Sequence, residues 1–127
     1  MAIEPQTRRY VADARSTDVF GRVLCSSRNH FFVADGPAQS GCPGEAITPG
    51  ELFLAGVASC GVELLQVLAK DQRLTLGRVA VVVTGEIDRD NPVRSDLSVF
   101  NSVRLQFQLE GVTEKEGADL LERFKAR

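Results

Sequence analysis

The chain has 127 residues, 43% hydrophobic and 25% charged, which is the make-up of one globular domain able to bury a core. Its 15 basic and 17 acidic residues leave a net charge of -2 and no basic stripe, which excludes nucleic acid and anionic membrane surfaces as expected partners. Three irregularly spaced cysteines make no secreted disulfide framework, no signal peptide opens the chain, and a reducing cytoplasm is the default location.

In chain order, residues 1–7 read as a loose start. Arg8–Ala14, Asp18–Cys25 and Asn29–Ala34 read as three strands of an antiparallel meander. Ser16-Thr17 and Ser26-Ser27-Arg28 supply their turns. Residues 36–49, rich in glycine and proline, form a loop that delivers the chain to a helix.

That helix, Thr48–Asp71, is the centre of the sequence. Thr48 with Glu51 makes a capping box, and Pro49 occupies the first helical position, where its missing N–H costs nothing. From Leu52 to Ala69 only Glu63 and Gln66 are strongly polar, so the helix is expected to be buried on most sides. Its length invites comparison with a membrane span; Glu63 and Gln66 in its interior argue against one.

Arg78–Ile87 follows as a β-branched strand, covered on both faces at Val79–Val83, and then a polar turn at 88–96. Residues 99–110 alternate with period two: Val103, Leu105, Phe107 and Leu109 against Arg104, Gln106, Gln108 and Glu110. Thr113 and Glu116 form a second capping box, opening a helix through Leu120, Leu121 and Phe124. The order β-β-β-α-β-β-α is an α+β fold in a single domain, residues 1–127. The chain stops at Arg127 within or just after its last helix, which reads as an ending that further residues would continue.

Candidate chemistry centres on Cys60. A free cysteine in an apolar helix is most simply a small core residue. As a reactive thiol it would need a nearby cation, because three turns from the helix N-terminus the dipole gives little. Glu63 shares its face, with Phe53, Gly56, Val57, Leu64 and Val67. A buried Glu63 would imply an arginine partner; an exposed one needs none. Gly56 and Gly61 point to close approach of a backbone or a ligand. Cys42 lies in the loop before the helix and reads as an incidental thiol, and Cys25 as structural. No CxxC or HxxxH spacing supports a metal site, and the single histidine, His30, makes no clear dyad.

The segment Thr48-Pro49-Gly50-Glu51-Leu52-Phe53-Leu54-Ala55-Gly56-Val57-Ala58-Ser59-Cys60 resembles the central-helix signature of the OsmC/Ohr family, the osmotically inducible and organic hydroperoxide resistance proteins. The strands and last helix downstream are similar at the level of pattern. The resemblance implies an intertwined α+β homodimer with the central helices inside, and active sites at the subunit interface. It implies a thiol peroxidase; no cofactor or metal is expected. Cys60 would attack a small organic hydroperoxide as a thiolate, and a dithiol would restore it. An N-terminal arginine would tune the thiol; Arg22 is the first choice, with Arg15 and Arg28 behind it. Glu51 stands at the carboxylate position of some family members, whereas Gly50 occupies that of the peroxidatic ones, so Glu63 is an alternative carboxylate. Cys42 is a candidate resolving thiol, since the family's usual Cys-Pro pair would begin about where this sequence ends. The alternative is a non-catalytic dimer binding a small apolar ligand at the interface, with Cys60 structural.

Overall fold

A computed structural model describes residues 7–127. The loose start expected at residues 1–7 lies, but for Thr7, outside them. The elements are β1 (Asp13–Ser16), β2 (Arg22–Ser27), β3 (His30–Asp35), a one-turn 3-10 helix (Ala38–Ser40), α1 (Pro49–Asp71), β4 (Val79–Glu86), β5 (Ser102–Leu109) and α2 (Glu114–Lys125). The expected α+β order is present. The described residues divide into two compact units, one up to Leu52 and one from Phe53 onward.

In the first unit β1, β2 and β3 form an antiparallel sheet in that order. The β1–β2 register pairs Ala14 with Cys25, and the β2–β3 register pairs Cys25 with Phe32 and Arg22 with Asp35. The first two strands sit later than the pattern predicts. β1 starts at Asp13 rather than Arg8, because β2 reaches back only far enough to pair with residues 13–16. β2 starts at Arg22 rather than Asp18, because residues 17–21 turn. There Thr17 Oγ1 accepts the Val19 N–H at 3.1 Å, the Arg22 N–H donates to Val19 O at 3.0 Å, and Gly21 takes φ +81°. Such a left-handed residue cannot continue a strand. The β2–β3 turn falls on Arg28 (φ 47°) and Asn29 (φ 65°), one residue beyond the expected Ser26-Ser27-Arg28. Two successive left-handed residues are what a tight two-residue hairpin needs to match the strand twist.

The helix start follows the sequence closely. Glu51 N–H donates to Thr48 Oγ1 at 3.3 Å, and Glu51 Oε1 accepts from the Thr48 N–H at 3.0 Å and hydroxyl at 2.9 Å.

In the second unit β4 and β5 pair antiparallel over eight residues, Val79 with Leu109 through to Glu86 with Ser102. Leu65, Leu68 and Ala69 of α1 and Leu120 of α2 are buried, with Phe107 and Leu109 of β5 packed against them. Each buried leucine contributes roughly 1.5–3 kcal/mol through removal of its surface from water. The second capping box forms as predicted: Glu116 N–H donates to Thr113 Oγ1 at 3.1 Å, and Glu116 Oε1 accepts the Thr113 N–H at 2.9 Å.

Within the single chain, two elements are less covered than the sequence predicts. β4 is not covered on both faces: Val79, Val81 and Val83 are half-buried while Ala80, Val82 and Thr84 are exposed. A two-stranded sheet packed on one side leaves its other face to solvent. Nor is α1 buried on most sides within the chain. Only Gly61, Leu65, Leu68 and Ala69 are buried, a single stripe about 100° wide. α1 remains long and apolar enough to cross a membrane by length and composition, with mean hydropathy 1.9.

Candidate functional site

Cys60 projects from α1 and is exposed within the single chain, whereas the sequence reads it most simply as a small core residue. The cause is geometric. The buried stripe runs through Gly61, Leu65 and Leu68, and at 100° per residue Cys60 falls outside it. Phe53, Gly56, Leu64 and Val67 lie within about 40° of Cys60 around the axis, since three, four and seven residues approximate whole turns. Glu63, one turn on, is also exposed and has no ion-pair partner among the described residues. The condition under which it would require a buried arginine is therefore absent within this chain.

At the N-terminal end of this face the rings of Phe53 and Phe100 stack, with centroids 5.5 Å apart and planes at 22°. Gly85 on β4 makes room for Phe100: a Cβ there would lie 2.7 Å from the ring and 3.0 Å from Leu54 Cδ2. Phe53 nevertheless stays 56% exposed. Gly61 has a similar use, since a Cβ on it would meet Phe107 at 3.1 Å. Gly56 differs, with nothing within 4 Å of where its Cβ would be.

The first unit holds the other predicted residues. Arg22 makes a bidentate ion pair with Asp35, Nε to Oδ1 at 2.8 Å and Nη2 to Oδ2 at 2.9 Å, and Nη2 also reaches Glu45 Oε1 at 3.1 Å. Asp35 has no exposed surface and accepts two more bonds, from the N–H groups of Glu45 (3.0 Å) and Ala46 (2.8 Å). Hydrogen bonds from Arg22 and the Ala46 N–H hold its carboxyl below the ordinary carboxylate range, and the same pair raises the Arg22 guanidinium. Asp35 is the residue the sequence reading missed. Its signal was a carboxylate ending an apolar strand, directly before Gly36-Pro37.

Glu51 is occupied by its cap. The Thr48 N–H, then the Thr48 hydroxyl, lower its pKa by stabilising the carboxylate. Cys42 is half-buried and wedged between two glycines: a Cβ on Gly21 would lie 2.5 Å from its Sγ, and one on Gly36 would clash with it too. Arg15 and Arg28 are exposed, on β1 and in the β2–β3 turn.

A profile of the family described as OsmC-like protein matches residues 42–127, well over half of the chain. The chain belongs to the OsmC-like family. Solved OsmC-type structures share its fold. An OsmC-like protein from Mycoplasma pneumoniae matches with TM-score 0.79 at 17% identity, over 94% of this chain and 82% of that one. An organic hydroperoxide resistance protein OsmC from Legionella pneumophila matches with TM-score 0.71 at 21% identity, over 93% and 82%. An organic hydroperoxide resistance protein from Elizabethkingia anophelis, with thiocyanate bound, gives 0.72 at 23% identity, over 94% and 82%. No curated protein matches the sequence significantly. In this OsmC-like chain α1 is thus the core helix of a known fold, and its apolar length has that explanation.

Proposed function

We propose that this OsmC-like protein reduces small organic hydroperoxides through Cys60. The observation that carries the reading is the thiol itself, exposed on the apolar face of the family's signature helix rather than packed in the core. The organic hydroperoxide resistance proteins of Legionella and Elizabethkingia, which share the fold, lend it further support.

The chemistry balances as follows. The Cys60 thiolate attacks the terminal peroxide oxygen and the O–O bond breaks. The electron pair leaves with the alkoxide, which takes a proton and departs as the alcohol. Cys60 is left as a sulfenic acid. One thiol of a dithiol reductant displaces water from that sulfur, and its second thiol then closes the reductant's disulfide and frees Cys60. Cys42 is the proposed internal alternative to the first of these thiols; it would have to leave its glycine cradle to serve. Arg22 is the proposed cation for the thiolate, with Glu51 or Glu63 as the proposed carboxylate. The apolar exposed face of α1 supports a homodimer, and the dependence on free thiols supports a cytoplasmic setting.

The test is consumption of tert-butyl hydroperoxide with dithiothreitol. Wild type should turn over, Cys60→Ser should fall to background, and Arg22→Gln should raise the thiol pKa. A Cys60 with an ordinary or raised pKa and no turnover would defeat this reading. It would favour the second, a dimer that holds a small apolar ligand, which the same exposed apolar face supports. Peptide mapping after peroxide treatment decides whether Cys42 joins Cys60.

A further inference from the structure

We propose that the first unit carries a ligand site of its own, for a small phosphate ester bearing an aromatic ring, with a nucleoside monophosphate as the chemical type. The site goes beyond the hydroperoxide chemistry and does not depend on Cys60. A cavity of about 380 Å³ opens between the segment that leads into β1 and the β2–β3 turn. Small-molecule sites run from roughly 300 to 1,000 Å³. Arg9, Tyr10 and Asp13 line it from the first segment, Arg28 and Asn29 from the turn, and Phe31 from β3.

The chain builds and holds this cavity. Ser27 Oγ donates to Val11 O at 2.8 Å and Ser26 Oγ to Asp13 Oδ1 at 2.7 Å, which ties residues 11–13 to the end of β2. The turn departs from the easy choice of residues. Positions 28 and 29 both take left-handed backbone, φ 47° and 65°, where Asn-Gly or Gly-Gly is favoured. Asn29 conforms. Arg28 does not, because a long side chain is strained in that region. Arg28 is exposed and makes no side-chain hydrogen bond or ion pair among the described residues that would offset the strain. Arg9 is likewise exposed and unpaired among them, whereas Arg22 is closed in by Asp35 and Glu45.

Two guanidinium groups against one carboxylate leave the lining positive. Their planar forks match phosphate oxygens, and two of them match a dianion. Tyr10 and Phe31 stay 85% and 61% exposed, offering rings on which a base stacks. Asp13, already holding the Ser26 hydroxyl, is the acceptor for sugar hydroxyls. An aliphatic anion would leave the rings unused, and a neutral aromatic would leave the arginines unused. A ring-bearing phosphate ester uses both.

The test is calorimetric titration of the full chain at low ionic strength with AMP, adenosine and inorganic phosphate. AMP should bind about tenfold or more tighter than either of the others. Arg9→Gln and Arg28→Gln should each weaken AMP about tenfold, the scale of a lost charge-assisted hydrogen bond. Phe31→Leu should weaken AMP about tenfold and leave inorganic phosphate within about twofold. Arg28→Asn separates binding from folding. Asparagine adopts left-handed backbone readily, so this variant should melt at or above the wild-type temperature while binding AMP about tenfold more weakly. AMP should also shield Arg28 from phenylglyoxal, read by peptide mapping. Equal affinity for AMP and inorganic phosphate reduces the site to an adventitious ion contact and overturns the proposal. Equal affinity for AMP and adenosine removes the arginines from it and overturns it too, as does AMP binding that is absent in wild type or unaltered in Arg28→Asn. An Arg28 that phenylglyoxal does not reach in the free protein is covered by a second copy of the chain, which likewise overturns the proposal.

Discussion

The surroundings of Arg22 and of Cys60 are built on opposite terms. Around Arg22 the chain satisfies itself: a guanidinium, a fully buried carboxylate and two backbone N–H groups close a network with no buried side-chain polar atom left unpartnered among the described residues. Around Cys60 it leaves matters open, with an exposed thiol, an exposed aromatic ring, an unpaired glutamate and a glycine facing empty space. The first region holds its buried carboxylate with the chain's own groups, and its guanidinium is the cation proposed for the thiolate. The second is surface whose use requires another molecule.

That contrast can be broken or sharpened by substitution. The largest effect should come from the core behind the open face. Leu65→Ala removes a fully buried side chain and should cost about 2–5 kcal/mol in denaturant unfolding. A smaller loss would mean that the second unit draws its stability from elsewhere. Next, Gly85→Ala must displace the Phe100 ring and should destabilise by about 1–3 kcal/mol, the scale of an overpacked site. Thr48→Ala removes the α1 cap and should cost about 1 kcal/mol. Gly56→Ala should do the reverse and stabilise by up to about 1 kcal/mol, because helix propensity improves and nothing is displaced. A destabilising Gly56→Ala would show that the space is filled in solution.

The closed region answers to pH. The Asp35 carboxyl is held below its ordinary value, so the ion pair stabilises fully above the unfolded-state pKa, near 4, and is lost as pH falls through the folded-state value. The melting-temperature gap between wild type and Asp35→Asn should therefore be widest near neutrality and narrow below about pH 4.

Local chemistry was legible in the sequence wherever one residue type dictates one geometry. Thr48/Glu51 and Thr113/Glu116 announced both helix starts, and the alternation from Val103 to Leu109 announced β5. What was not legible depended on neighbours distant in the chain. Phe20 and Gly21 look like strand continuation until the left-handed turn at Gly21 is known. An apolar helix reads as buried, yet α1 is covered within the chain only on the stripe that β5 and α2 reach, which leaves Cys60 outside. Asp35 is not legible because one carboxylate in a chain of 17 acidic residues carries no local mark of the four hydrogen bonds that converge on it.

The joining of Leu65 and Leu68 to Leu120 has a consequence for how the protein is made. These residues lie some fifty positions apart, and α2 is the last of the described elements. Closing so long a loop precedes any reward from the contact, which slows folding. During synthesis α1 leaves the ribosome well before α2 exists to cover it, and for that interval its apolar stripe has no internal partner. Folding of the second unit is therefore coupled to the arrival of α2.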